Sequence, residues 1–124
     1  VSAINASAVF AAAGGDYEIS RSVRLRSSAS AYFNRTPAGA GNQKTFTWSA
    51  WVKRGSLGSY QTLFWATTNT TIYYGSFIQF YDNDTFAISD YRGSYSAQLV
   101  TSQVFRDPSA WYHIVVSVDT TQAT

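Results

Sequence analysis

The chain has no cysteine and no methionine, one histidine, one glutamate and two prolines in 124 residues. Without cysteine, disulfides and thiolate metal sites are excluded, and the fold must hold by packing alone. A lone histidine cannot assemble a catalytic triad or a zinc set by itself. Charged residues are only 13%, about half the usual ~25%. The net charge of +2 is too small to argue for nucleic acid, which wants basic residues gathered on one face. Arg21, Arg24 and Arg26, near Arg35, read instead as a solvated strand edge. No apolar run reaches the ~18 residues of a membrane span. Val1–Ala13 lacks the basic and continuous apolar regions of a signal peptide. With no methionine at position 1, the chain is expected to begin inside a longer or processed product.

What the chain does hold is aromatic: nine Tyr, eight Phe and four Trp, 17% in all. With many Thr and Ser, this favours strands over surface helices. Few charges also suit a surface covered by neighbouring subunits. The length suits one domain able to bury a core.

Val1–Gly15 differs from the rest, being uncharged, rich in Ala and Ser, and closed by Gly14-Gly15. It reads as an arm or linker, with Ile4, Val9 and Phe10 as anchors, and residues 1–16 are set apart from a sandwich over 17–124. Beyond Tyr17 the dominant period is two. Ser20–Arg26 alternates Val23 and Leu25 against Arg24 and Arg26, which predicts a half-buried strand. Ala31-Tyr32-Phe33 continues it after a Ser-rich bend, and Thr36–Asn42 is a loop. Thr45–Lys53 is the clearest strand, with Phe46, Trp48, Ala50 and Val52 on the core face and Trp51 the exception on the other. Gln61–Ala66 and Ile72–Tyr81 are further strands, with Phe77 opposite in parity to Ile78 and Phe80. Asp82-Asn83-Asp84 is the turn of a hairpin over Phe77–Ser89, because Asn and Asp accept left-handed geometry and cap their own backbone. Tyr95–Val104 and Trp111–Val118 complete the set, the second with Tyr112, Ile114, Val116 and Val118 inward. Short strands with turns between them predict an all-β antiparallel sandwich or jelly roll. Asp119–Thr124 looks like a turn into a further strand, so the sandwich is expected to be incomplete here.

Thr45–Lys53 and Trp111–Asp119 resemble the core strands of laminin G-like, concanavalin A-like lectin domains, with Thr62-Leu63-Phe64 and Ile78–Ile88 in the expected order between them. Arg21–Tyr32, Trp51–Gly55 and Arg106–His113 are similar to segments of virion proteins of tailed bacteriophages. The resemblance covers roughly Glu18 to Thr124. It implies a lectin-like jelly roll in a phage particle, serving as a non-enzymatic structural, assembly or decoration protein. The alternative it implies is a carbohydrate-binding module of a tail fibre that recognises a host-surface glycan. Other virion proteins and a second copy of the chain are the expected partners, with no nucleic acid and no membrane.

Glycosidases of that fold class use two carboxylates close together on one strand, about 5–9.5 Å apart. No such run exists, and Glu18 is the only glutamate, so no catalytic residue is assigned. Asp82 and Asp84 are explained by turn chemistry. Calcium is the other reading, since paired aspartates supply hard oxygen ligands, with Asp90 or Asp107 as further ligands. No other cofactor is expected. His113 is assigned a structural hydrogen bond. Trp51, Trp65, Tyr73, Tyr74, Tyr91 and Tyr95 exceed what one core needs. They are the ligand or interface candidates, because aromatic rings suit both protein interfaces and the apolar faces of sugars.

Overall fold

The computed structural model describes residues 20–69 and 74–122. The chain divides into two compact units, Val1–Ala40 and Gly41–Thr124. In the first, the described backbone forms one 3-10 turn, Ser27–Ala29, ended by Ser30 in a left-handed conformation. The strand predicted over Ser20–Arg26 does not form: Val23 is 70% and Leu25 50% exposed. Two apolar residues among arginines and serines bury too little to fix a strand, and no described strand takes up the segment's N–H and C=O groups. Tyr32 and Phe33 are also exposed. The predicted arm, Val1–Gly15, and Glu18 lie outside the described residues.

The described residues of the second unit form six strands: β1 (Thr45–Lys53), β2 (Gln61–Asn69), β3 (Tyr74–Phe80), β4 (Thr85–Tyr91), β5 (Tyr95–Val104) and β6 (Trp111–Asp119). They form two antiparallel sheets, β1–β6 and β2–β3–β4–β5. Alternation dictates what each strand turns inward. Ile78 and Phe80 from β3, Phe86 from β4 and Val116 from β6 form the buried centre. Trp48, Val52, Ile88, Ile114 and Val118 pack around them, each fully buried large side chain contributing ~1.5–3 kcal/mol. The two sheets therefore meet face to face as a β-sandwich. On β1 and β6 the parity expected from sequence holds for Trp48, Ala50, Val52, Tyr112, Ile114, Val116 and Val118, but Phe46, expected on the core face, is exposed near the start of β1, away from the core cluster.

In β2 the alternation breaks. Thr62 lies opposite Gln79 and Phe64 opposite Ile78, so Leu63 is an inserted residue. This bulge lets the consecutive Leu63 and Phe64 both reach the core and turns Trp65, opposite Phe77, to the outside. Gly75 faces the same strand so closely that a Cβ there would overlap the Ala66 carbonyl oxygen.

The β3–β4 hairpin turns as its Asp-Asn-Asp sequence predicts. Asn83 Oδ1 accepts from the Thr85 N–H at 3.1 Å and the Thr85 hydroxyl at 2.7 Å. Asp84 adopts a left-handed φ of 67°, which aims its carboxylate back into the fold. There it accepts from the Gly58 N–H at 3.0 Å, pairs with Arg54 at 3.0 Å and with Arg106 at 3.1 Å. The Gly58 N–H is the main cause holding the Asp84 pKa below the usual aspartate value, with Arg106 and Arg54 adding to it against the cost of burial. Arg54 is wholly buried; it donates to Gln61 Oε1 at 2.8 Å and to the Phe105 carbonyl at 2.6 Å. Its guanidinium carbon stands 4.6 Å from the centre of the Phe80 ring. One arginine thus ties the β1–β2 loop, the hairpin turn and the end of β5 around the core's most buried aromatic.

Candidate functional site

The outward face of the four-stranded sheet follows from its register. Trp65, Phe77, Ser89 and Gln98 lie in one row directly across β2, β3, β4 and β5. A neighbouring row is Thr62, Gln79, Ala87 and Val100. Tyr91 and Tyr95 are paired at the end of the sheet, and Tyr81 follows Phe80 at the other end with outward parity. None of these positions carries a charge.

The rings touch in sequence. Trp65 stacks on Phe77 with centroids 5.8 Å apart and planes inclined by 16°. Tyr91 meets Tyr74 edge-on at 6.1 Å and Tyr95 at 5.1 Å. Tyr60 lies 5.4 Å from Tyr81. Polar groups lie between them. Gln98 Nε2 donates to the Tyr81 hydroxyl at 2.9 Å, and that hydroxyl lies 3.3 Å from Ser89 Oγ. Ala87, between Thr85 and Ser89 on the same side of β4, is 0% exposed. Thr62 Oγ1 donates to Gln79 Oε1 at 3.3 Å. Phe77, Gln79, Ser89, Tyr91 and Tyr95 line a shallow depression of about 260 Å³. The Tyr95 pKa is raised, first by its hydrogen bond and charge interaction with Tyr81, then by desolvation and the neighbouring Tyr60 and Tyr91 hydroxyls. The Tyr95 hydroxyl therefore stays neutral at physiological pH.

The nearest carboxylate, Asp90, is already engaged. It accepts from Ser76 Oγ at 2.9 Å and from Ser96 Oγ, and pairs with Arg92 at 3.2 Å. The Ser96 hydroxyl is the chief reason its pKa lies below the usual value, followed by Ser76 and Arg92.

Of the residues proposed from sequence, the fold brings Trp65, Tyr74, Tyr91 and Tyr95 to this face or its rim. Trp51 is on the other sheet, 53% exposed, stacked on His113 at 4.7 Å. His113 Nε2 lies 3.2 Å from Ser49 Oγ across the β1–β6 pair. Tyr73 lies outside the described residues. Asp82 is exposed on the hairpin turn, and the Asp84 oxygens are taken by two arginines and an amide, an arrangement opposed to a calcium ligand. No group of three or more metal-ligating side chains occurs among the described residues. Sequence reasoning missed Tyr60, Phe77, Gln79, Tyr81, Ser89 and Gln98. Parity already set Phe77 apart from Ile78 and Phe80, and carrying it across the hairpin would have found Gln79 and Ser89. Tyr60 and Gln98 depend on which strands become neighbours.

A face of adjoining rings with amides and hydroxyls between them can stack on a flat apolar surface and hydrogen-bond its rim. It offers no carboxylate pair for acid–base chemistry. A family model described as the concanavalin A-like lectin/glucanases superfamily matches residues 8–124. The chain belongs to this superfamily, and its antiparallel β-sandwich is consistent with that. No curated protein and no solved structure matches the chain.

Proposed function

We propose that the chain is a non-enzymatic carbohydrate-binding domain whose site is the outward face of β2–β5. The observation that carries the reading is the cross-strand row Trp65–Phe77–Ser89–Gln98, flanked by Tyr91 and Tyr95. Sugar rings have an apolar C–H face and a polar rim. Aromatic rings bind the first, while the Gln79, Gln98 and tyrosine polar groups meet the second. The absence of charge at the outward positions suits a neutral glycan. Calorimetric titration against a panel of neutral and acidic oligosaccharides, with and without calcium, tests it. Binding is expected to be lost in Trp65→Ala with Tyr95→Ala, to be calcium-independent, and to leave the sugar unhydrolysed. Absence of binding across the panel refutes the reading.

A second reading is a structural or decoration role in a phage particle, where the same rings would contact neighbouring subunits. It is favoured by the low charge and by the resemblance of Arg21–Tyr32 and Arg106–His113 to virion proteins. Co-purification with particles, lost on substituting the same rings, would support it.

A further inference from the structure

Among the described residues, nothing buries positions 55–60 of the β1–β2 loop, so polar contacts set its course. Across its mouth, Arg54 Nε donates to Gln61 Oε1 at 2.8 Å, and Gln61 Nε2 donates to Ser56 Oγ at 2.9 Å. At its tip, the Gly58 N–H donates to Asp84 Oδ1 at 3.0 Å. Gly58 makes that approach with a left-handed φ of 67°, a conformation glycine adopts without steric cost. The other Asp84 oxygen pairs with Arg106, and the Asp84 carbonyl accepts from the Phe105 N–H at 2.9 Å. Asp84 is thus anchored at the end of β5 and holds the loop tip from there.

Alternation decides where Tyr60 goes. Gln61, opposite Phe80, turns its amide toward Arg54, so the residue before it turns outward. There Tyr60 meets Tyr81 at 5.4 Å. Tyr60 is 61% exposed, and so little burial cannot hold the ring in place by itself. Its position is inherited from the loop on one side and from Gln61 on the other.

We propose that Asp84 is a positioning residue of the candidate binding face, holding the β1–β2 loop so that Tyr60 forms its terminal ring and contacts the last unit of a linear oligosaccharide. The ligand part of this role rests on the carbohydrate-binding reading; the clasp on the loop does not. Tyr91 and Tyr95 stand at one end of the face and Tyr60 with Tyr81 at the other. Gly75, opposite Tyr91, and Tyr81 are six positions apart on one strand line, and ~3.4 Å per residue separates the two ends by roughly 20 Å. That is several times the width of one sugar ring, so a ligand touching both ends is a chain. Asp84 itself touches no ligand: its oxygens face Gly58, Arg54 and Arg106.

Nuclear magnetic resonance of the full chain reads the Tyr60–Tyr81 ring contact without any ligand. Asp84→Asn should weaken that contact. Because this change leaves the buried Arg54 short of a charge, Gly58→Val is the second variant. A β-branched residue resists φ 67°, yet a Cβ there meets nothing within 4 Å, so the sandwich should stay folded while the loop tip leaves Asp84. Calorimetric titration with oligomers of glucose, mannose, galactose and N-acetylglucosamine, from disaccharide to hexasaccharide, reads the ligand part. The parent should favour the hexasaccharide of the series it binds. Tyr60→Ala and Gly58→Val should each cut that preference over the disaccharide by at least about tenfold. Gly58→Val should change nothing further once Tyr60 is alanine, whereas a general loosening of the fold would add to the first loss. A Tyr60–Tyr81 contact that survives in both Asp84→Asn and Gly58→Val overturns the proposal, and so do additive losses. A parent that binds none of the oligomers overturns the carbohydrate reading and the ligand part with it, and the ring contact alone then decides the clasp.

Discussion

Phe80 is the fully buried large side chain at the centre of the sandwich, and its replacement by leucine separates ring chemistry from simple burial. Three rings lie around it: Phe86 at 5.4 Å, Phe105 at 5.6 Å and Tyr112 at 6.4 Å. Aromatic pairs of this kind contribute ~0.5–1.5 kcal/mol each beyond burial. The Arg54 guanidinium over the ring adds ~2 kcal/mol where water is excluded. Arg54 Nη2 is buried without a hydrogen bond among the described residues, so the ring face is the favourable electrostatic partner left to that side of the cation. Leucine keeps most of the volume, and the contacts overlap rather than add. Phe80→Leu is therefore expected to cost about 2–3 kcal/mol, and Phe80→Ala, which also opens a cavity, at least the ~3–5 kcal/mol usual for Phe-to-Ala truncation in cores. Against a typical stability of ~5–15 kcal/mol, either change is large. Urea denaturation measures both. A double-mutant cycle with Arg54→Met isolates the cation–ring term, expected at about 1–2 kcal/mol. The Arg54→Met change alone is destabilising, because it strips Asp84 of a buried partner, but the cycle cancels that part. A Phe80→Leu cost below about 0.5 kcal/mol with no coupling to Arg54 would refute the reasoning.

Gly75→Ala should destabilise the domain by more than ~1 kcal/mol, since the new Cβ would strike the Ala66 carbonyl; a melting curve matching the parent's would show the strands free to part. The aspartate pKa shifts fix the sign of the pH dependence. Asp84, Asp90, Asp107 and Asp119 are all held below their ordinary value of 3.8 in the folded chain. Their stabilisation is present above that ordinary value and is lost as pH falls through it toward the lowered folded values. Denaturation midpoints should therefore fall steadily into acid, and Asp90→Asn should lessen the slope. On the outward face, Trp65→Ala should weaken binding to a glycan that the parent binds by at least about tenfold, equivalent to ~1.4 kcal/mol. Trp51→Ala, on the other sheet, should leave that affinity unchanged in the same titration.

Much of the architecture was legible in the chain. The alternation in Thr45–Lys53 and Trp111–Val118 set which residues turn inward, Phe46 excepted, because a two-residue period admits one apolar face. Asp82-Asn83-Asp84 marked the hairpin, since only a few residue types accept its geometry. The surplus of tyrosine and tryptophan signalled that aromatics would remain outside the core. Local pattern failed at Ser20–Arg26, where alternation exists but no described partner strand accepts it. It also failed at Leu63-Phe64-Trp65, where a bulge interrupts the period. A bulge is decided by the pairing of β2 with β3, not by β2 itself. The same holds for the candidate site. Trp65, Phe77, Ser89 and Gln98 are far apart in the chain and form a row only through register, which depends on all four strands at once. Composition and period determined the class of fold and the inward residues, because both follow from local burial. The candidate binding face was decided by tertiary structure, because it is a relation between strands that no single strand contains.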